Sequence, residues 1–244
     1  MVSAKIFALA AMASGVFAAP KCRPSPTVPV AGATSNLSSP PPNAVLKKIA
    51  IGHGLQNYTC ASPSQPSAQA AGALAVLYDV TPLYPGKAHG LERADFDALP
   101  ITTLYSQDLP LNMTQSGPNV YAANAGSPWI APADLTLGER TIKFLGHHYF
   151  DIDSIPMFDL QAAGLKASVV RNDSVAAPLN ADKGPMGTGA VAWLQLKDSG
   201  KGKSVGIDYV YRVITAGGNP VSCSTGASSF SIPYTTFYWF YKFY

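Results

Sequence analysis

The chain has 244 residues, of which 47% are hydrophobic and only 13% charged. That is enough to fill the core of one domain, at about half the ~25% charge of an average soluble protein. It excludes a coiled coil, a charged disordered chain, an acidic tail and, with a formal charge of only +3, a field that would recruit nucleic acid.

Residues 1–18 read as a secretory signal peptide. Lys5 supplies the positive start, residues 6–12 a short apolar stretch, and Val16-Phe17-Ala18 the small or apolar cleavage positions. Cleavage after Ala18 keeps Pro20 from the new N-terminus. The stretch is too short for a membrane anchor, and no second spanning segment follows. Residues 19–43 carry seven prolines among Ser, Thr and Ala and are expected to form a disordered, extended leader, with 44–244 as a single β domain. Four sequons, at Asn36, Asn57, Asn112 and Asn172, fit an exported glycoprotein. The oxidising route favours a disulfide. Three cysteines allow three pairs. Cys60 and Cys223, at the two ends of the folded region, are the expected one, with Cys22 free or in an intermolecular bridge.

Along the folded region, period-2 alternation dominates. A strand over 55–60 turns Asn57 and Cys60 to opposite faces, the glycan to water and the sulfur to the core, with Gln56 and Tyr58 on the inward face. Leu74, Val76, Tyr78 and Val80 form a second stripe. Residues 90–99, with Glu92, Arg93, Asp95 and Asp97, are the one segment that reads as a short helix. Ile142, Phe144, His148 and Phe150 form another stripe, opposite Thr141, Lys143, His147 and Tyr149. Further strands are expected over 165–171, 191–196 and 205–215, the last placing Tyr209, Tyr211 and Val213 on one face and Asp208 and Arg212 on the other. Residues 61–72 and 176–189 are low-complexity loops. The last eleven residues hold eight aromatics, on both faces of a strand over 234–241. The pattern predicts an all-β fold, an antiparallel β-sandwich or barrel-like structure with long loops and at most one or two short helices.

Several motifs, in order, resemble a family of secreted fungal and bacterial proteins of unknown function whose fungal members are often labelled malate dehydrogenase. They are Gly52-His-Gly-Leu-Gln-Asn-Tyr-Thr-Cys60, Gly146-His-His-Tyr149, Pro156-Met-Phe-Asp159, Val191-Ala-Trp-Leu194, and Tyr211-Arg-Val-Ile-Thr-Ala-Gly-Gly218 followed by Pro220 and Cys223. The resemblance implies a fungal origin, secretion and the Cys60–Cys223 pairing, and no established activity. Relatives tend to carry an acidic residue where Phe237 stands, so a catalytic carboxylate there would be lost in this chain. The dehydrogenase label fails on residues. A dinucleotide site needs G-x-G-x-x-G opening a helix, and Gly52-His-Gly54 continues into the strand-like Asn57-Tyr-Thr-Cys60.

The densest polar cluster is His147, His148, Asp151, Asp153 and Asp159. Such groups hold metals or do acid–base work when they converge. Adjacent strand residues face opposite ways, so at most one histidine joins a site. His148 lies on the apolar stripe, where a hydrogen-bonded structural role is the ordinary reading. The alternatives are acid–base chemistry with Asp151 or Asp159, or a metal held with His53. A glycosidase needs two carboxylates flanking a bond, here an all-aspartate pair. There is no Gly-x-Ser-x-Gly elbow and no His-Glu-x-x-His. Trp129, Trp239 and Tyr241 are candidates for stacking on sugars, against the usual fate of core packing. Arg212 is expected in an ion pair. The sequence reading is a secreted fungal glycoprotein of the extracellular space or cell wall, an interaction or effector-like protein and not an enzyme. Cell-wall polysaccharide or a host or cell-surface protein is its partner, with no cofactor and no membrane span. A polysaccharide-active or metal-dependent enzyme is the alternative, and a malate dehydrogenase, by label alone, comes third.

Overall fold

Strands that alternate every two residues must bury one face. A run of them in sequence order can do so by curling until the first meets the last. The computed structural model describes residues 25–65, 67–117, 119–225 and 228–244. The expected signal peptide and Cys22 lie outside them. Within them the chain forms β1 (Ala44–Thr59), β2 (Gln69–Asp79), α1 (Arg93–Ser106), β3 (Met113–Gly117), β4 (Val120–Ala123), β5 (Leu135–Leu137) and β6 (Arg140–Phe150). There follow β7 (Pro156–Leu160), β8 (Leu165–Val175), β9 (Trp193–Asp198), β10 (Tyr209–Gly217) and β11 (Ser229–Phe243).

Strands β6 to β11 pair each with the next, β11 pairs with β1, β1 with β2, and β2 returns to β6. All these ladders are antiparallel. Eight strands therefore close a barrel in sequence order, interrupted once by the segment between β2 and β6 that carries α1 and β3–β5. Of the two architectures the alternation left open, the pairing gives the barrel. The single α-helix is longer than expected because it runs through Pro100. Proline forfeits one helical N–H. The Pro100 carbonyl, in turn, accepts the Thr235 hydroxyl of β11 at 2.5 Å.

The wall has two buried faces. Inside pack Leu77, Phe158, Val169, Val210, Tyr238 and Phe240. Outside, under α1 and the segment around it, pack Ile51, Tyr78, Phe96, Val213, Phe237 and Trp239. This explains the aromatics on both faces of β11: Phe237 stacks on Phe96 of α1 at 4.8 Å, while Tyr238 turns inward. Tyr238 lies against β1 because residue 52 is glycine. A Cβ there would stand 2.5 Å from its ring.

Two expectations change. A bulge breaks the β2–β6 register between Leu77 and Tyr78, so Tyr78 opposes Phe144 and Leu77 opposes Gly146. One extra residue reverses the faces. Ile142 and Phe144 therefore belong to the outer layer, and His148 and Phe150 to the interior. The proline-rich leader is also seated where it is described. Residues 25–43 form no strand, as their prolines dictate, yet Val28 and Leu37 are buried in the outer core. Ser38 donates its backbone N–H and its hydroxyl to Asp173, each at 2.8 Å. Two apolar side chains suffice to anchor a segment whose composition alone reads as free. Cys60 and Cys223 are bonded, 163 positions apart.

Candidate functional site

The wall of the barrel separates the polar residues that the sequence groups together. His148 lies inside, its ring 4.0 Å from Phe158 and stacked on it. Its Nδ1 lies 2.8 Å from the Met157 carbonyl. A carbonyl only accepts, so Nδ1 carries the proton. Burial pulls the pKa down to about 4, helped by the nearby Arg212 charge and opposed by the Met157 carbonyl. His53 faces the outer layer, its Nε2 3.1 Å from the Asp108 carbonyl, and burial lowers it likewise to about 4. His53 aligns with Val76, which aligns with His147 and not His148. The two candidate metal ligands are therefore on opposite sides of the sheet.

Asp151 caps the β6–β7 turn, taking the N–H groups of Asp153 and Ile155 on Oδ1 and Lys203 on Oδ2 at 2.7 Å. Asp159 lies on the outer face opposite His147 and 3.7 Å from Lys166. Neither carboxylate meets His148. Among the described residues no three His, Cys, Asp or Glu converge as a metal site. Trp239 and Tyr241 are 1% and 4% exposed, so their ring faces are closed to a sugar and they pack the core. Trp129 is half-buried, tilted over His147 at 4.1 Å.

Arg212 departs from the expected ion pair. It points into the barrel, where Nε and Nη2 donate to the Ala192 carbonyl at 3.1 and 2.8 Å and Nη1 donates to Gln56 Oε1 at 3.3 Å. Gln56 in turn donates to the Gly72 carbonyl at 2.9 Å. Tyr234 and Tyr238 share a hydrogen bond of 3.0 Å beside it. These neutral oxygens satisfy a half-buried guanidinium and tie β10 to β1 across the interior. The sequence signal for this brace was the inward parity of Gln56 alone.

A feature that alternation could not reveal is a groove of about 760 Å³ between the end of β1, the start of β11 and the β3–β4 hairpin. Its walls include Asn57, Tyr58, Gln115, Tyr121 and Phe230, and none of the described lining residues is charged. Tyr58 and Phe230, cross-strand partners, stack at 5.6 Å. The Tyr58 hydroxyl donates to the Gly218 carbonyl at 2.7 Å, and burial pushes its pKa up to about 12. Ser231 donates to Asn57 Oδ1 at 2.8 Å. The size falls within the ~300–1,000 Å³ of small-molecule sites, and aromatic faces edged by amides and hydroxyls suit a neutral, hydroxyl-rich ligand. With no carboxylate, histidine, lysine or cysteine among its described lining residues the groove can bind and orient, and the hydroxyls of Tyr58 and Ser231 are already committed as donors.

A family model described as protein of unknown function (DUF3455) matches residues 40–242. The chain belongs to that family. The match spans the barrel but for the last residue of β11, the outer helix and both walls of the groove, and begins just before β1. The seated segment 25–39 lies outside it. No activity comes with membership, and nothing in the match ties the chain to a dehydrogenase. None of the curated proteins and none of the solved structures matches the chain. No helix among the described residues is long and apolar enough to cross a membrane.

Proposed function

We propose that this member of the family is a secreted fungal glycoprotein of the extracellular space or cell wall, non-enzymatic, which engages neutral saccharide chains of the wall through the groove below the β3–β4 hairpin. The observation that carries the reading is an uncharged lining in which aromatic rings, amides and hydroxyls stand among aliphatic side chains, around about 760 Å³. Sugars bind by stacking apolar ring faces on aromatics and hydrogen bonding at their edges. The histidines and aspartates that would serve an enzyme are used elsewhere, in stacking, turn capping and ion pairs. A host or cell-surface protein as partner becomes the reading if saccharides have no effect.

The test is thermal unfolding of the protein with chitin and glucan oligosaccharides, divalent metals, a chelator, and NADH with malate. A saccharide at a hundredfold excess over its Kd stabilises by ~2.7 kcal/mol, a midpoint rise of roughly 5–10 °C for a domain of this size. Tyr121→Ala and Gln115→Ala should remove that rise while leaving the unliganded midpoint nearly unchanged. A chelator-sensitive midpoint would replace this reading with a metal-dependent one, and a rise with NADH would revive the dehydrogenase.

A further inference from the structure

The four sequons are not equivalent in the fold. Asn112 donates its side-chain amide to the Ser127 carbonyl at 2.9 Å, and Asn172 donates to Gln195. Asn36 is exposed on a loop. Asn172 falls in the register shift of β8 against β9, whereas Asn57 has a cross-strand partner on each side, Ser231 of β11 and Gly72 of β2, at the point where the β1–β2 register slips. Its Oδ1 is held by Ser231. Among the described residues its Nδ2 has no hydrogen-bond partner, and it is not one of the sealed, unpartnered polar atoms. Asn57 is half-buried and forms part of the groove wall.

We propose that the groove is the seat of the chain's own N-glycan, carried on Asn57. The inference rests on the neutral-saccharide reading of the groove and names the saccharide's source. The bond forms between Asn57 Nδ2 and the anomeric carbon of the first N-acetylglucosamine. The glycosyl–phosphate bond of a polyprenyl-diphosphate donor breaks, the diphosphate leaves with the bonding pair, and the proton displaced from Nδ2 passes to solvent. Strand pairing on both sides of Asn57 would deny access to the transferring enzyme, so the sugar is added before β1 pairs and is folded in. A glycan on an exposed loop projects freely. From a half-buried strand position its first residues have to follow the wall, where Phe230 and Tyr121 supply apolar faces and Gln115 and Asn119 supply hydrogen bonds. The seated glycan and a free saccharide then compete for the groove.

The test uses the full chain secreted from a eukaryotic host. Glycopeptide mass spectrometry reports which sequons are occupied, and endoglycosidase digestion is run on native and unfolded protein. The expected result is an occupied Asn57 whose glycan resists release in the native state at least tenfold longer than that of Asn36 and is released once the protein is unfolded. Thr59→Ala removes the sequon while keeping Asn57 and its Ser231 bond, and should let a given concentration of chitin oligosaccharide raise the midpoint more than it does in the glycosylated protein. Release from native Asn57 as fast as from Asn36, or an empty Asn57 beside occupied sequons, overturns the inference. An unexported, unglycosylated chain overturns it together with the secretory reading. If the Asn57 glycan is protected but Thr59→Ala ignores free saccharide, the seat stands, and it is the binding of wall saccharide that fails.

Discussion

His148 and His53 were the residues most suggestive of chemistry, and their burial instead makes them a source of acid lability. Each has its folded pKa lowered to about 4 against 6.5 for a free side chain. Above pH 6.5 both are neutral folded and unfolded, and contribute no pH dependence. Between 6.5 and about 4 the unfolded chain binds protons that the folded one refuses, so stability falls as pH drops, by roughly 1.4 kcal/mol per pH unit for each histidine. His147, also lowered by burial, adds in the same direction. Urea midpoints should be level from pH 8 to 7 and fall steadily from 6.5 to 4.5. His148→Phe, which keeps the stack on Phe158, should remove about one histidine's share of the slope. A flat profile would show that these rings are hydrated. The inward placement of His148 was read from the sequence for a partly wrong reason. The parity argument holds on each side of the bulge in β6 but not across it, so the stripe joined Ile142 and Phe144 to the wrong layer, because a bulge leaves no mark in a hydrophobic pattern.

At the scale of elements, alternation found most of the strands, since each half-buried strand writes period 2 into its residues. The stripe Leu74 to Val80 lies in the outer layer as one face. Strand ends were less legible: β11 runs from Ser229 to Phe243, beyond the aromatic segment on both sides, because pairing with β1 continues where the hydrophobic pattern stops. The β3–β4 hairpin was missed. Its residues Met113–Gly117 and Val120–Ala123 are exposed or half-buried, none fully buried, and form a two-stranded sheet apart from the barrel. Two strands alone are marginal in water. Hydrogen exchange should therefore be fastest in β3–β4 and slowest in β1 and β11, each flanked by partners on both sides. A bound saccharide should slow exchange in the hairpin and at Asn57–Thr59 and leave the far strands β7 and β8 unchanged. Protection confined to those far strands would place the ligand elsewhere.

For the whole molecule, the fold class was legible and its closure was not. A strand pattern says which face is buried and leaves unspecified which strand is its lateral neighbour. The choice between two packed sheets and one closed ring rests on the β2–β6 pairing. The groove was illegible for a related reason, since residues from β1, β11 and the hairpin lie far apart in the chain. The Cys60–Cys223 bond closes a loop of 163 positions, worth about 5 kcal/mol on the chain-entropy model. Reduction under native conditions should lower the unfolding midpoint by ten degrees or more, equally in the Cys60→Ala, Cys223→Ala double variant. A midpoint unmoved by either would mean that the unfolded chain is already compact.

The seam between β1 and β11 joins the first strand of the barrel to its last. The ring has no free edge once β11 is in place. A chain that stops short of β11 leaves two long margins, on β1 and β10, with a full row of unpaired backbone donors and acceptors. Ribosomes make β11 after the other seven strands of the barrel, so every growing copy passes through that open form, and a crowded cell offers it other open copies. The eight aromatics of the final eleven residues then act as a latch that arrives late and must find its own chain before it finds a neighbour.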